Sequence, residues 1–155
     1  MLELDRTLSY RLHLLHKLTD VGSQRAYVAG TGLSMSVGRC LTAIGSFAPL
    51  SVNDLAQKSN LTKGQASRAA QSLVDQGLVR KTGSLSDGRG VVLTLTLAGE
   101  AAWRSAMQVV ERRNHEIFGV LDEAERAQLS ALFDRLLTQA RASSEGLENR
   151  ADSDE

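Results

Sequence analysis

Residues 50–95 read LSVNDLAQKSNLTKGQASRAAQSLVDQGLVRKTGSLSDGRGVVLTL, and the order of signals in this stretch decides the fold. Ser51 and Asp54 have the serine-x-x-acid spacing of a helix N-terminal cap, opening a short helix through Leu55, Ala56 and Lys58 that stops at Ser59 and Asn60. Thr62 and Gln65 repeat that spacing and start a second helix. In it Ala66, Ala70, Leu73 and Val74 share one face before Gly77 ends the helix. Val79–Thr82 and Val91–Leu95 are β-prone runs on either side of a polar, glycine-rich loop, Gly83 to Gly90, which predicts a β-hairpin. Helix, tight turn, helix and hairpin make a helix-turn-helix followed by a wing.

The flanks are helical. Leu8, Leu12, Leu15 and Leu18 recur at helical spacing from a start near Asp5, and the helix can run to Gly30, with Gly22 a weak point. Ser34 caps a second helix whose stripe of Val37, Cys40, Leu41 and Ile44 ends near Gly45, with Pro49 in the following turn. After the hairpin, Thr96 caps a long helix with Trp103, Met107, Val110 and Phe118 on more than one side, so it faces two neighbours. Asp122 and Glu125 open a last helix whose Leu129, Leu132, Phe133, Leu136, Leu137 and Ala140 form a stripe that needs a partner. From Ser143 the chain turns polar and acidic with only Leu147 to bury, which predicts a disordered tail over 143–155.

Eighteen Lys and Arg balance eighteen Asp and Glu, so the total charge announces no anionic partner. Its distribution does. Between Ser51 and Gly90, Lys58, Lys63, Arg68, Arg80, Lys81 and Arg89 outnumber Asp54, Asp75 and Asp87 for a net +3, whereas Val91 onward carries −5. No run is long and apolar enough for a membrane span and the N-terminus has no apolar leader, so a cytoplasmic protein without a membrane partner is expected. Cys40, the single cysteine, forms no disulfide framework and sits on an apolar stripe as a small hydrophobe. His13, His16 and His115 have no acidic companions in a tight ligand spacing, so no metal site is assigned. No nucleophile–base set or phosphate loop is recognisable, which argues against an enzyme and against a cofactor.

The chemistry lies on the Thr62 helix. A 100° step per residue turns Ala66, Ala70 and Leu73 inward and places Gly64, Arg68 and Gln71 nearly opposite, with Lys63, Gln65 and Ser67 beside them. A guanidinium can grip guanine bidentately, a glutamine amide can read adenine, and Gly64 permits close backbone approach, so this face suits the major groove of duplex DNA. The alternative is that Lys63, Arg68 and Gln71 merely solvate an exposed helix.

From Gly32 to Gly99 the chain resembles the MarR family of bacterial regulators. The resemblance rests on Leu50-Ser51-Val52-Asn53-Asp54-Leu55-Ala56, Leu61-Thr62-Lys63-Gly64-Gln65-Ala66-Ser67-Arg68, Gly77-Leu78-Val79-Arg80-Lys81, Asp87-Gly88-Arg89, and Leu95-Thr96 with Gly99. It implies a mainly α fold with a small β-hairpin wing: a winged helix-turn-helix DNA-binding domain at 31–95, an N-terminal dimerisation helix at 1–30 and C-terminal dimerisation helices at 96–142. It further implies a homodimeric, sequence-specific transcription regulator that occupies a pseudo-palindromic operator and represses by competing with RNA polymerase. In the family's pattern Asp87 orients the wing and Arg89 enters the minor groove. Two positions depart from it: Gly90, where many relatives carry a second arginine, and Gly38, where an aromatic often sits. Many family members release DNA when a small aromatic or phenolic anion binds. Arg11, at the edge of the Leu8, Leu12 and Leu15 stripe, could hold its carboxylate, with His16 at the other edge. The competing functional readings are a winged-helix protein-interaction module that has lost DNA binding, and a metal-sensing regulator.

Overall fold

A hydroxyl stands at the start of each of the first four helices: Thr7 before α1 (Leu8–Thr31), Ser34 before α2 (Met35–Phe47), Ser51 before α3 (Val52–Ser59) and Thr62 before α4 (Lys63–Asp75). Each accepts the backbone N–H three residues on, satisfying a donor that has no partner inside the helix. At Thr62 the cap is reciprocal, since Gln65 Oε1 accepts the Thr62 N–H at 3.0 Å while Thr62 Oγ1 accepts that of Gln65 at 3.2 Å. The computed structural model describes residues 1–83 and 90–151, with side chains through residue 147.

Gly77, at φ 73°, takes the left-handed conformation that ends α4. The chain then enters β1 (Val79–Gly83), which pairs antiparallel with β2 (Val91–Leu95) from Val79↔Leu95 to Gly83↔Val91. Leu50 adds a bridge to the free side of β2, donating to Leu93 O at 3.4 Å and accepting the Leu93 N–H at 2.8 Å. The turn before α3 is thereby fastened to the hairpin. Thr96 ties the next element on: its hydroxyl donates to Gly77 O at 2.6 Å and accepts the Gly99 N–H at 3.0 Å at the start of α5 (Leu97–Phe118). Asp122 and Glu125 cap α6 (Glu123–Ala151) reciprocally at 2.8 and 3.2 Å. The Glu125 backbone N–H holds the Asp122 carboxyl below its ordinary range.

The core lies where α2, α3, α4 and β2 meet. Leu41, Ile44, Leu55, Leu73 and Leu93 are completely buried there, each adding about 1.5–3 kcal/mol of apolar stabilisation. Two glycines let aromatic rings approach α2 closely: a Cβ at Gly38 would collide with the Tyr27 ring, and one at Gly45 with the Trp103 indole.

Several boundaries differ from the sequence expectation. α1 begins at Leu8, not near Asp5, because Leu4–Arg6 forms a 3-10 turn and the Thr7 hydroxyl, donating to Leu4 O at 2.7 Å, takes the cap position. α1 runs through Gly22 as expected and ends one residue past Gly30, at Thr31; against Gly22 rests the Arg113 guanidinium, donating to Thr19 O at 3.0 Å and Ser23 Oγ at 3.2 Å. α2 passes Gly45 and continues to Phe47. α6 is helical to Ala151, beyond the Ser143 at which a disordered tail is expected, although Ser143, Ser144, Gly146 and Asn149 in that stretch are poor helix formers.

The chain divides into two compact units, Met1–Asn114 and His115–Glu155. Among the described residues no helix is long and apolar enough to cross a membrane, and no group of three His, Cys, Asp or Glu side chains forms a metal-ligand cluster.

Candidate nucleic-acid interface

α4 is an alanine-backed helix. Ala66, Ala69, Ala70 and Leu73 are buried against the core, and the small side chains let the helix sit close to α2 and α3. Everything facing the other way is exposed: Lys63, Gly64, Gln65, Ser67, Arg68 and Gln71. The sequence therefore places all six on one accessible surface, but they are not chemically equivalent. Gln65 has committed its amide oxygen to the Thr62 N–H, so its first task is to hold the N-terminus of α4. Gln71 is engaged at both ends, donating from Nε2 to Asp75 Oδ1 at 2.8 Å and accepting at Oε1 from Lys81 Nζ at 2.7 Å. Lys63 and Arg68 are the exposed cations of the face. Arg68 folds back along the helix until its Nη1 would stand 3.4 Å from a Cβ at Gly64. With Ser36, Val37, Gln65 and Ala69 it lines a cleft of about 240 Å³ beside the start of α2. Ser36 and Lys81 are absent from the sequence-predicted set, since nothing local in either stretch shows that the fold returns them to α4.

Asp87 and Arg89 lie outside the described residues. Gly90, one of the two positions read from the sequence as departing from the family's pattern, has φ 70°, a conformation in which a residue with a side chain is strained. At this position the backbone of the wing calls for glycine.

A second polar feature lies further along α2. Arg39, Thr42, Phe47, Lys58, Met107 and Val110 border a cleft of about 290 Å³. Lys58 Nζ sits 4.7 Å from the centroid of the Phe47 ring, and Arg39 lies 4.0 Å from Asp20. Burial pushes the neighbouring Tyr27 hydroxyl's pKa up, opposed by the Arg39 charge and by hydrogen bonding to Thr42 and Arg39. Burial likewise raises the Cys40 thiol, against a hydrogen bond with Ser59, so the thiol is held in its unreactive form. The two sequence-predicted effector residues stand elsewhere: Arg11 and His16 are exposed on α1 and neither borders this cleft.

Comparison with known proteins gives the same architecture. Residues 31–90 match the model of the MarR family. The HTH-type transcriptional regulator BilQ of Clostridium symbiosum is 27% identical over 105 residues, 68% of this chain and 73% of that protein. Among solved structures, a MarR/EmrR family transcriptional regulator from Acinetobacter sp. superposes with a TM-score of 0.80 at 23% identity, covering 91% of this chain and 99% of that one. The Mycobacterium tuberculosis MarR family protein Rv2887, solved in complex with salicylic acid, superposes at 0.68 with 24% identity, covering 85% of this chain and 97% of that one. Its curated name is a transcriptional repressor.

Proposed function

We propose that this chain is a MarR-family regulator, on the match of its winged helix-turn-helix, residues 31–90, to that family's model, and that it is a homodimeric, sequence-specific repressor that binds duplex DNA and is released by a small organic anion. The observation that carries the DNA-binding part is the division of α4: one face completely buried alanine and leucine, the other exposed Lys63, Gly64, Ser67 and Arg68. An α-helix presented this way enters the major groove, where Arg68 contacts a base edge and Lys63 a phosphate. Asp87 and Arg89 complete the interface from the wing in this reading. Two such helices must be held about one helical turn apart, roughly 34 Å, to read two half-sites. A second copy supplies the other helix.

The dimer rests on apolar surface that the single chain leaves open. Leu8 and Leu18 of α1 are 80% and 68% exposed, and Leu136 of α6 is 63% exposed. Unbroken leucine stripes of this kind mark an interface.

For the effector we favour the cleft bordered by Arg39 and Lys58. It offers two cations to a carboxylate and Phe47, Met107 and Val110 to a flat apolar ring, the chemistry expected of a site for a small aromatic acid. Asn60, the left-handed residue leading into α4, also borders it, so an occupant would press on the turn that aims the reading helix. Arg11 and His16 are the alternative anchor, enclosed only once a second copy covers α1. Titrating benzoate-type acids against the DNA complex of wild type, Arg39→Ala and Arg11→Ala separates the two. Loss of release in Arg39→Ala with DNA affinity intact supports the cleft; the same loss in Arg11→Ala alone moves the site to α1.

A further inference from the structure

Lys81 leaves β1 opposite Leu93 and reaches back ten residues to α4, where its ammonium meets Gln71 Oε1 at 2.7 Å, while Gln71 Nε2 meets Asp75 Oδ1 at 2.8 Å. The amide lies between a cation and a carboxylate, which fixes its polarity. Flipping it would point its NH2 group at an ammonium and its oxygen at a carboxylate. A glutamine that reads adenine needs an oxygen for the N6 amino group and an N–H for N7. Here both groups already have charged partners within the protein, and hydrogen bonds to charged groups are the stronger kind.

We propose that Gln71 reads no base: it is a positioning residue that, with Asp75, fastens Lys81 to α4 and fixes that ammonium as a phosphate anchor where the reading helix meets the wing. The proposal rests on the DNA-binding function above. Lys81 carries the contact because it is the one cation among these three residues, on a flexible stem and with ammonium protons left to donate after the one given to Gln71. Asp75 keeps the amide aimed; without Gln71 between them, Lys81 would be drawn to that carboxylate or left to wander in solvent. The tie also joins the root of the wing to α4, so the two DNA-contacting elements share one orientation.

Gln71 and Lys81 are both exposed, so methionine at either position leaves the core untouched. Duplexes selected from a random pool by the wild-type chain provide the probe, and binding is measured from low to moderate salt. Lys81→Met flattens the dependence of log K on log salt by about 0.9 per protomer, the loss of one phosphate contact. Gln71→Met weakens every duplex by the same several-fold factor and selects the same motif. In the Lys81→Met background it has no further effect, the signature of a residue acting through its neighbour. The proposal is overturned if Gln71→Met erases preference at one base pair, roughly ten-fold or more, and does so equally in both backgrounds. Absence of any salt-dependent duplex binding by the wild-type chain overturns the functional reading itself, and this proposal with it.

Discussion

The helix-turn-helix and the terminal helices treat their leucines in opposite ways. Leu41, Leu55, Leu73 and Leu93 are wholly buried in the winged region, whereas α1 buries only Tyr27 and α6 buries none of its described side chains. Both regions have good helical periodicity, so periodicity alone does not say whether a stripe finds its cover within the chain. The winged region closes on itself because α2, α3, α4 and β2 converge from several directions, with Leu50 and Thr96 fastening its edges. α1 and α6 are long single rods with stripes down their length, and the proposed homodimer is what finishes them. On this proposal, one region carries its own stability, whereas the other lends it only on association.

Three substitutions put that contrast under strain. Leu73→Ala empties a fully enclosed site at the back of the reading helix and should cost about 2–5 kcal/mol in denaturant unfolding. A much smaller loss would mean the winged region is not the independent core described here. Leu136→Ala removes an exposed side chain from α6 and should leave the winged core's own packing intact. In the proposed dimer it should weaken association by about 1.5–3 kcal/mol, seen by sedimentation as a dissociation constant that rises at unchanged fold. If it instead destabilises a monomer and has no effect on association, the contrast between the regions fails. Thr62→Ala, which removes half of the reciprocal cap on α4, should cost about 1 kcal/mol, and amide exchange should locate the loosening in the first turn of that helix.

What the sequence made legible was mostly local. Ser34, Ser51, Thr62 and Asp122 announce their helices because a cap and its N–H partner are three residues apart, and the two strands are bracketed by glycines at Gly83 and Gly90. The orientation of α4 was legible for the same reason, since one helix's periodicity separates Ala66, Ala70 and Leu73 from Arg68 and Gln71. The contacts that depend on chain return were not. Lys81 reaches Gln71 only through the turn after α4 and the direction of β1. Tyr27 covers Gly38 and Trp103 covers Gly45 because separate helices cross there. Arg11 and His16 lie exposed on α1 beside its leucine stripe, and a stripe seen in sequence does not reveal which surface encloses it; the cleft bordered by Arg39 and Lys58 brings together residues of α2, α3 and α5 that no local pattern links.

The central claim is that two copies of this chain present two α4 helices to one duplex. It is tested most directly by counting chains on a duplex selected from a random pool, by fluorescence anisotropy and sedimentation, while ionic strength is varied. The account predicts saturation at two chains per duplex, half-sites spaced by about one helical turn, and log K falling linearly with log salt as phosphate contacts are lost. Saturation at one chain, or no salt-dependent binding at all, would contradict it.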